Sequence, residues 1–125
     1  MEAYLDRSYS VTPLSKAYRF EPRFSELASD AHVLGLEAPL WCEFVPTRAR
    51  LDYQVWPRLA AYAETGWTPG SNKNLADFRN RLMALLPRLD ELGVKYAPMS
   101  EVEPNLLSQL LGVFTIVQPQ TKVAP

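Results

Sequence analysis

An α/β fold is what this sequence predicts, and three observations predict it. A mainly apolar run from His32 to Phe44 is too short for a typical helix and too continuous for a half-exposed strand, so it reads as a buried parallel strand. Apolar residues then recur at helical spacing, first from about Arg48 to Thr65 and again from Leu75 to Leu92. A strand followed directly by amphipathic helices is the pattern of β/α units, and 125 residues leave room for one domain at most.

Each element has its own justification. Ala3 to Tyr9 is short and partly apolar, and reads as the end of a strand. From Ser10 to Asp30, Pro13 and Pro22 flank the aromatic stretch Tyr18-Arg19-Phe20, which predicts a long loop with one helical turn near Phe24 to Ala28. In the strand after it, a period of two puts Trp41 and Glu43 on one side at the carboxyl end, facing away from Cys42, which is then a small buried hydrophobe. Thr47 is placed to cap the first helix, Val55, Trp56, Leu59, Ala60 and Ala63 form its stripe, Pro57 should kink it and Gly66 should end it. Trp56 and Trp67 are expected in the core. The second helix is the clearest, with Leu75, Phe78, Leu82, Leu85, Leu86, Leu89 and Leu92 on one face, Asp77, Arg79, Arg81 and Arg88 on the other, and Gly93 as terminator. Beyond it lie an apolar cluster, Leu106 to Leu111, a β-prone run, Val113 to Val117, and a polar tail to which the sequence assigns no role.

Composition excludes several classes of function. With 47% hydrophobic and 22% charged residues the chain is an ordinary globular one. Its formal charge of -1 supplies no basic field for nucleic acid or for an anionic membrane surface. No run approaches the roughly 20 apolar residues of a membrane span. Cys42 is the only cysteine and His32 the only histidine, so neither a disulfide framework nor a metal site is expected, and no cofactor is called for. The first residues lack the pattern of a secretory signal, which leaves the compartment undecided.

Chemistry is expected at two places, Tyr4-Leu5-Asp6 and Trp41-Cys42-Glu43, where an aromatic side chain precedes a carboxylate by two residues at a predicted strand end. A pyranose offers an apolar face of C–H bonds and a rim of hydroxyls, so an aromatic wall beside a hydrogen-bond-accepting carboxylate suits a sugar. By spacing alone, the plainer reading of a core tryptophan and a salt-bridged glutamate is favoured.

A longer pattern shifts that weighting. Val33-Leu34-Gly35-Leu36-Glu37-Ala38-Pro39-Leu40-Trp41-Cys42-Glu43, followed by Trp56-Pro57-Arg58-Leu59-Ala60-Ala61-Tyr62-Ala63-Glu64-Thr65-Gly66-Trp67, resembles the last strand and last helix of the (β/α)8 barrel of family 20 glycoside hydrolases, the β-N-acetylhexosaminidases. Tyr4-Leu5-Asp6 resembles that family's Tyr-x-Asp on an earlier strand, and Phe78 to Tyr96 its terminal helix. The resemblance covers about residues 3 to 97. It implies a partial TIM barrel, the last two or three β/α units, with a carboxy-terminal amphipathic helix: residues 1–97 as the end of the catalytic barrel and 98–125 as a tail of unknown role.

The resemblance also implies roles. Trp41 would form the floor or wall of a pocket for a terminal N-acetylhexosamine, Glu43 and Asp6 would accept hydrogen bonds from sugar hydroxyls, and Tyr4 would donate to the acetamido oxygen. The family's chemistry is substrate-assisted: the acetamido oxygen attacks the anomeric carbon, an aspartate orients it and an adjacent glutamate acts as general acid. That Asp-Glu pair has no counterpart here. The only adjacent Asp-Glu, Asp90-Glu91, falls at a helix end and reads as a solvated pair. Arg58 and Glu64 match the family's helix and are expected as a loop anchor or an ion pair. A complete barrel needs about 250 residues. The chain is therefore expected to be a fragment of a β-N-acetylhexosaminidase, inactive alone, with an N-acetylhexosamine-terminated glycan and the amino-terminal barrel half as partners. The alternative is a non-catalytic module that binds amino sugar or assembles with a partner.

Overall fold

A computed structural model describes residues 3–22 and 33–115, and within them the chain is helical. Five α-helices occur in order: α1 (Leu14–Tyr18), α2 (Arg48–Val55), α3 (Arg58–Trp67), α4 (Leu75–Glu91) and α5 (Leu106–Thr115). Short 3-10 turns lie at Cys42–Phe44 and Gly70–Asn72. The expected turn at Phe24 to Ala28, His32, and Ile116 and Val117 fall outside the described residues.

No strand occurs among the described residues, so the two segments expected as strands are not strands here and the partial barrel units are not confirmed. Residues 33–41 have no regular structure, and Leu34 is fully exposed at 101%. The reason is physical. A parallel strand exists only through a ladder on a neighbour, and the segment 3–9 offers one rung, Leu5 N–H to the Pro39 carbonyl at 2.9 Å. Pro39 itself has no amide to donate. The two stretches read as strands do lie side by side, without becoming a sheet.

The helical predictions hold better. Thr47 caps α2, its hydroxyl accepting from Arg50 N–H at 3.1 Å. At Pro57 the chain breaks into α2 and α3 rather than kinking, and the Trp56–Pro57 peptide is cis. Asn74 caps α4, accepting from the amides of Ala76 and Asp77. The end of α4 is a Schellman motif: Gly93 N–H donates to Asp90 and Val94 N–H to Leu89, with Gly93 at φ 69°. Pro13, expected to open a loop, instead precedes α1, which buries Leu14, Ala17 and Tyr18 against α3. The β-prone reading of Val113 to Thr115 is also overturned, because these residues continue α5 from its leucine cluster.

The core lies where α1, α3 and α4 meet. Phe78, Leu82, Leu86 and Leu89 of α4 are buried, as are Ala61 and Tyr62 of α3, and the rings of Tyr18 and Phe78 stack at 4.8 Å between centroids. The segment after α4 closes this core. Ala97 N–H donates to the Trp56 carbonyl, Val102 is fully buried while its carbonyl accepts from Leu14 N–H, and Glu103 accepts from both the amide and the hydroxyl of Ser15. Trp56 packs against the core, but Trp67, expected inside, is 89% exposed: it ends α3 one residue beyond Gly66, past the last turn that faces α1.

Candidate functional site

Leu5 is the fulcrum of the first candidate pair. Its side chain is buried, its amide is taken by Pro39 and its carbonyl accepts from an Arg58 guanidinium nitrogen at 3.0 Å. Tyr4 and Asp6, on either side of it, are half-buried. The Arg7 guanidinium carbon lies 5.4 Å from the centroid of the Tyr4 ring. Asp6 gives its carbonyl to Gln54 Nε2 at 2.8 Å, while its carboxylate oxygen Oδ1 is buried with no hydrogen-bond partner. A buried acceptor in that condition costs about 1–3 kcal/mol until a donor reaches it.

The second pair lies on the neighbouring stretch. Pro39, bonded to Leu5, precedes Trp41 by two residues, so the backbone brings the two pairs together. Trp41 is in extended conformation and 63% exposed, an aromatic surface that the core does not use. Glu43 and Cys42 are exposed as well. The predicted alternation fails here because Cys42–Phe44 is a 3-10 turn, in which Cys42 and Glu43 do not point to opposite faces of a strand. Cys42 is consequently not a buried hydrophobe.

Behind the first pair sits a polar cluster that sequence reasoning grasped only in part. Arg58 is completely buried and donates to three carbonyls, those of Leu5, Thr12 and Gln54, at 3.0 to 3.2 Å. Its guanidinium carbon stands 4.3 Å from the centroid of the Tyr9 ring. Burial holds the Arg58 pKa below its ordinary value, and burial pushes the Tyr9 hydroxyl up to about 12 despite the opposing Arg58 charge. Tyr9 donates to the Trp56 carbonyl at 3.0 Å. The expected loop anchor is thus seen at Arg58. Gln54, only 1% exposed, was not anticipated; it lies in α2 and Arg58 in α3, so no helical spacing in the sequence pairs them.

Glu64 and Arg81 form the ion pair expected of Glu64, two bonds at 2.6 and 3.0 Å joining α3 to α4, and Arg81 also holds Asp77. They help line an apolar cleft of about 270 Å³ between α3 and α4, floored by Phe78 and Leu82, that includes none of the four candidate residues. Asp90 and Glu91 are exposed at the end of α4. Among the described residues no group of three or more His, Cys, Asp or Glu is placed to hold a metal, and no helix is long and apolar enough to cross a membrane.

The profile of glycosyl hydrolase family 20, catalytic domain, matches residues 2–70. A β-hexosaminidase of Porphyromonas gingivalis is 46% identical over 86 residues, which are 67% of this chain and 11% of that protein. A β-hexosaminidase of Akkermansia muciniphila is 38% identical over 73 residues, 58% of this chain and 15% of that protein. Among solved structures, the family 20 exo-β-N-acetylglucosaminidase of Vibrio harveyi, in complex with N-acetylglucosamine, superposes with a TM-score of 0.68 at 35% identity, over 78% of this chain and 18% of that one. The chain therefore spans less than a fifth of the length of each of these three proteins.

Proposed function

Because this chain belongs to glycosyl hydrolase family 20, we propose that it supplies one side of the pocket in which a β-N-acetylhexosaminidase holds a terminal N-acetylhexosamine. The observation that carries this reading is the Leu5–Pro39 hydrogen bond, which sets Tyr4-Leu5-Asp6 beside the stretch leading to Trp41-Cys42-Glu43. Trp41 stacks on the apolar face of the sugar with the surface it leaves in solvent. Glu43 and Asp6 accept from ring hydroxyls, and such a donor satisfies the unpaired oxygen of Asp6. Tyr4 donates to the acetamido oxygen and stabilises charge as that oxygen closes on the anomeric carbon, by the preorganised logic of an oxyanion hole.

Proton transfer is a separate matter. The reaction needs a general acid beside the leaving oxygen and an aspartate on the acetamido group, and none of the 125 residues stands in that context. Residues 1–97 act as part of the catalytic domain, with the acid and its aspartate contributed by the remainder of that domain; the chain alone is inactive.

The test is release of a chromogenic leaving group from an N-acetylglucosaminide, by this chain alone and after addition of the remaining part of a family 20 catalytic domain. No turnover alone, turnover on complementation, and its loss in Trp41→Ala and Tyr4→Phe are the expected results. Turnover by the chain alone would overturn the assignment. Saturable sugar binding that never leads to turnover would establish the non-catalytic module instead.

A further inference from the structure

We infer that Arg58 and Gln54 are positioning residues that hold Tyr4 and Asp6 from behind by fixing the two peptide carbonyls at Leu5 and Asp6. This assignment deepens the pocket reading of Tyr4 and Asp6 and rests on it. Arg58 donates to Leu5 and Gln54 Nε2 donates to Asp6, so two side chains on either side of the break between α2 and α3 grip two successive carbonyls. Leu5 is thereby fixed at its amide, its carbonyl and its side chain.

A fully buried guanidinium is an expensive way to fill a core, since desolvation of the charge must be repaid by its hydrogen bonds. Its three acceptors among the described residues are neutral carbonyls, two of them in the segment from Leu5 to Thr12. The planar fork reaches Leu5 and Thr12 at once, which the single nitrogen of a lysine does not. Burial lowers the Arg58 pKa against the opposing pull of Tyr9, Tyr62 and the nearby Asp6 carboxylate, while its hydrogen bonds to Leu5, Thr12 and Gln54 all go to peptide carbonyls. At Gln54, Nε2 is used while Oε1 is buried with no partner, so the amide sits there for its donor.

Gln54→Met separates positioning from general stability, because it removes one hydrogen bond and one unsatisfied acceptor together. In the full chain, Arg58→Lys and Gln54→Met should each speed amide hydrogen exchange at Leu5 about tenfold while the amides of Leu82 and Leu86 keep their protection. A merely structural role would move both sets alike. Unchanged exchange at Leu5 in both variants overturns the assignment, and Gln54→Met alone decides it should Arg58→Lys not fold. N-acetylglucosamine titrated into the full chain, followed at the Trp41 indole, then tests the underlying reading. Binding that Tyr4→Phe and Trp41→Ala leave intact, or no binding, counts against the pocket while the exchange result stands. Where those two variants do weaken binding, Gln54→Met should weaken it about fivefold, the worth of a displaced hydrogen bond at the site. Equal binding would sink the positioning role.

Discussion

Asp52 shows how a buried polar residue in the middle of α2 organises its surroundings. Its carboxylate is buried, accepts from Arg48 Nε at 2.7 Å and takes the Lys95 amide at 3.2 Å, stapling the chain after α4 onto α2. The Arg48 hydrogen bond, against the opposing effect of burial and with help from the Lys95 amide, holds its pKa below the ordinary carboxylate value. A depressed folded-state pKa means stability that is present above the unfolded value of about 3.9 and is lost as pH falls through the folded one. The urea midpoint of Asp52→Asn should therefore lie below that of the parent at pH 7, with the gap closing in stages below about pH 4. A gap that stays constant down to pH 2 would show that the charge on Asp52 contributes nothing. The Arg48 partner sits at a local i,i+4 spacing, but Lys95 was not legible in the sequence, since it is 43 residues away and joins through its backbone.

At the scale of elements, periodicity and the terminal glycine placed α4 almost to the residue. Its apolar face and Gly93 are local signals, and local forces suffice to read them; the Asn74 cap emerged only in the structure. Gly93 is held at φ 69° with open space where a Cβ would stand. Gly93→Ala should thus lower stability by about 1 kcal/mol, through backbone conformation alone and not through a clash. Calorimetry or urea unfolding would show it; a cost of 3 kcal/mol or more would mean the Schellman turn bears other contacts. The predicted strands fared otherwise. An apolar run states that a segment is to be buried by something, but a strand needs a paired neighbour, and Leu5 to Pro39 is the one backbone bond recorded between these two stretches.

For the molecule as a whole, the balance between core and surface is uneven. The meeting of α1, α3 and α4 is tightly buried, whereas Leu106, Leu107, Leu110 and Leu111 of α5 are 56 to 73% exposed along one side of a helix. Such a patch lowers solubility without adding to the fold. The double variant Leu106→Glu and Leu110→Glu should raise the concentration at which the protein stays in solution and leave the thermal midpoint within about 2 °C, because surface changes rarely exceed ±0.5 kcal/mol. A fall of many degrees in the midpoint would show that α5 packs on the core in solution. Leu82, by contrast, is 2% exposed, and Leu82→Ala should cost about 2–5 kcal/mol in urea unfolding.

By itself the sequence pointed to the family, named the four candidate residues and located the helical stretches from Arg48 to Thr65 and from Leu75 to Leu92. Each of these rests on residue identity or on a spacing of three to four along the chain. Only the tertiary structure decided that the apolar run from Val33 is no strand, that Cys42 and Trp67 face solvent, and that Gln54 stands beside Arg58 behind Tyr4 and Asp6. Those outcomes turn on which groups from opposite ends of the chain find one another. The bonds that settle them, from Arg58 to Leu5 across 53 residues and from Gln54 to Asp6 across 48, leave no period in the sequence to be read.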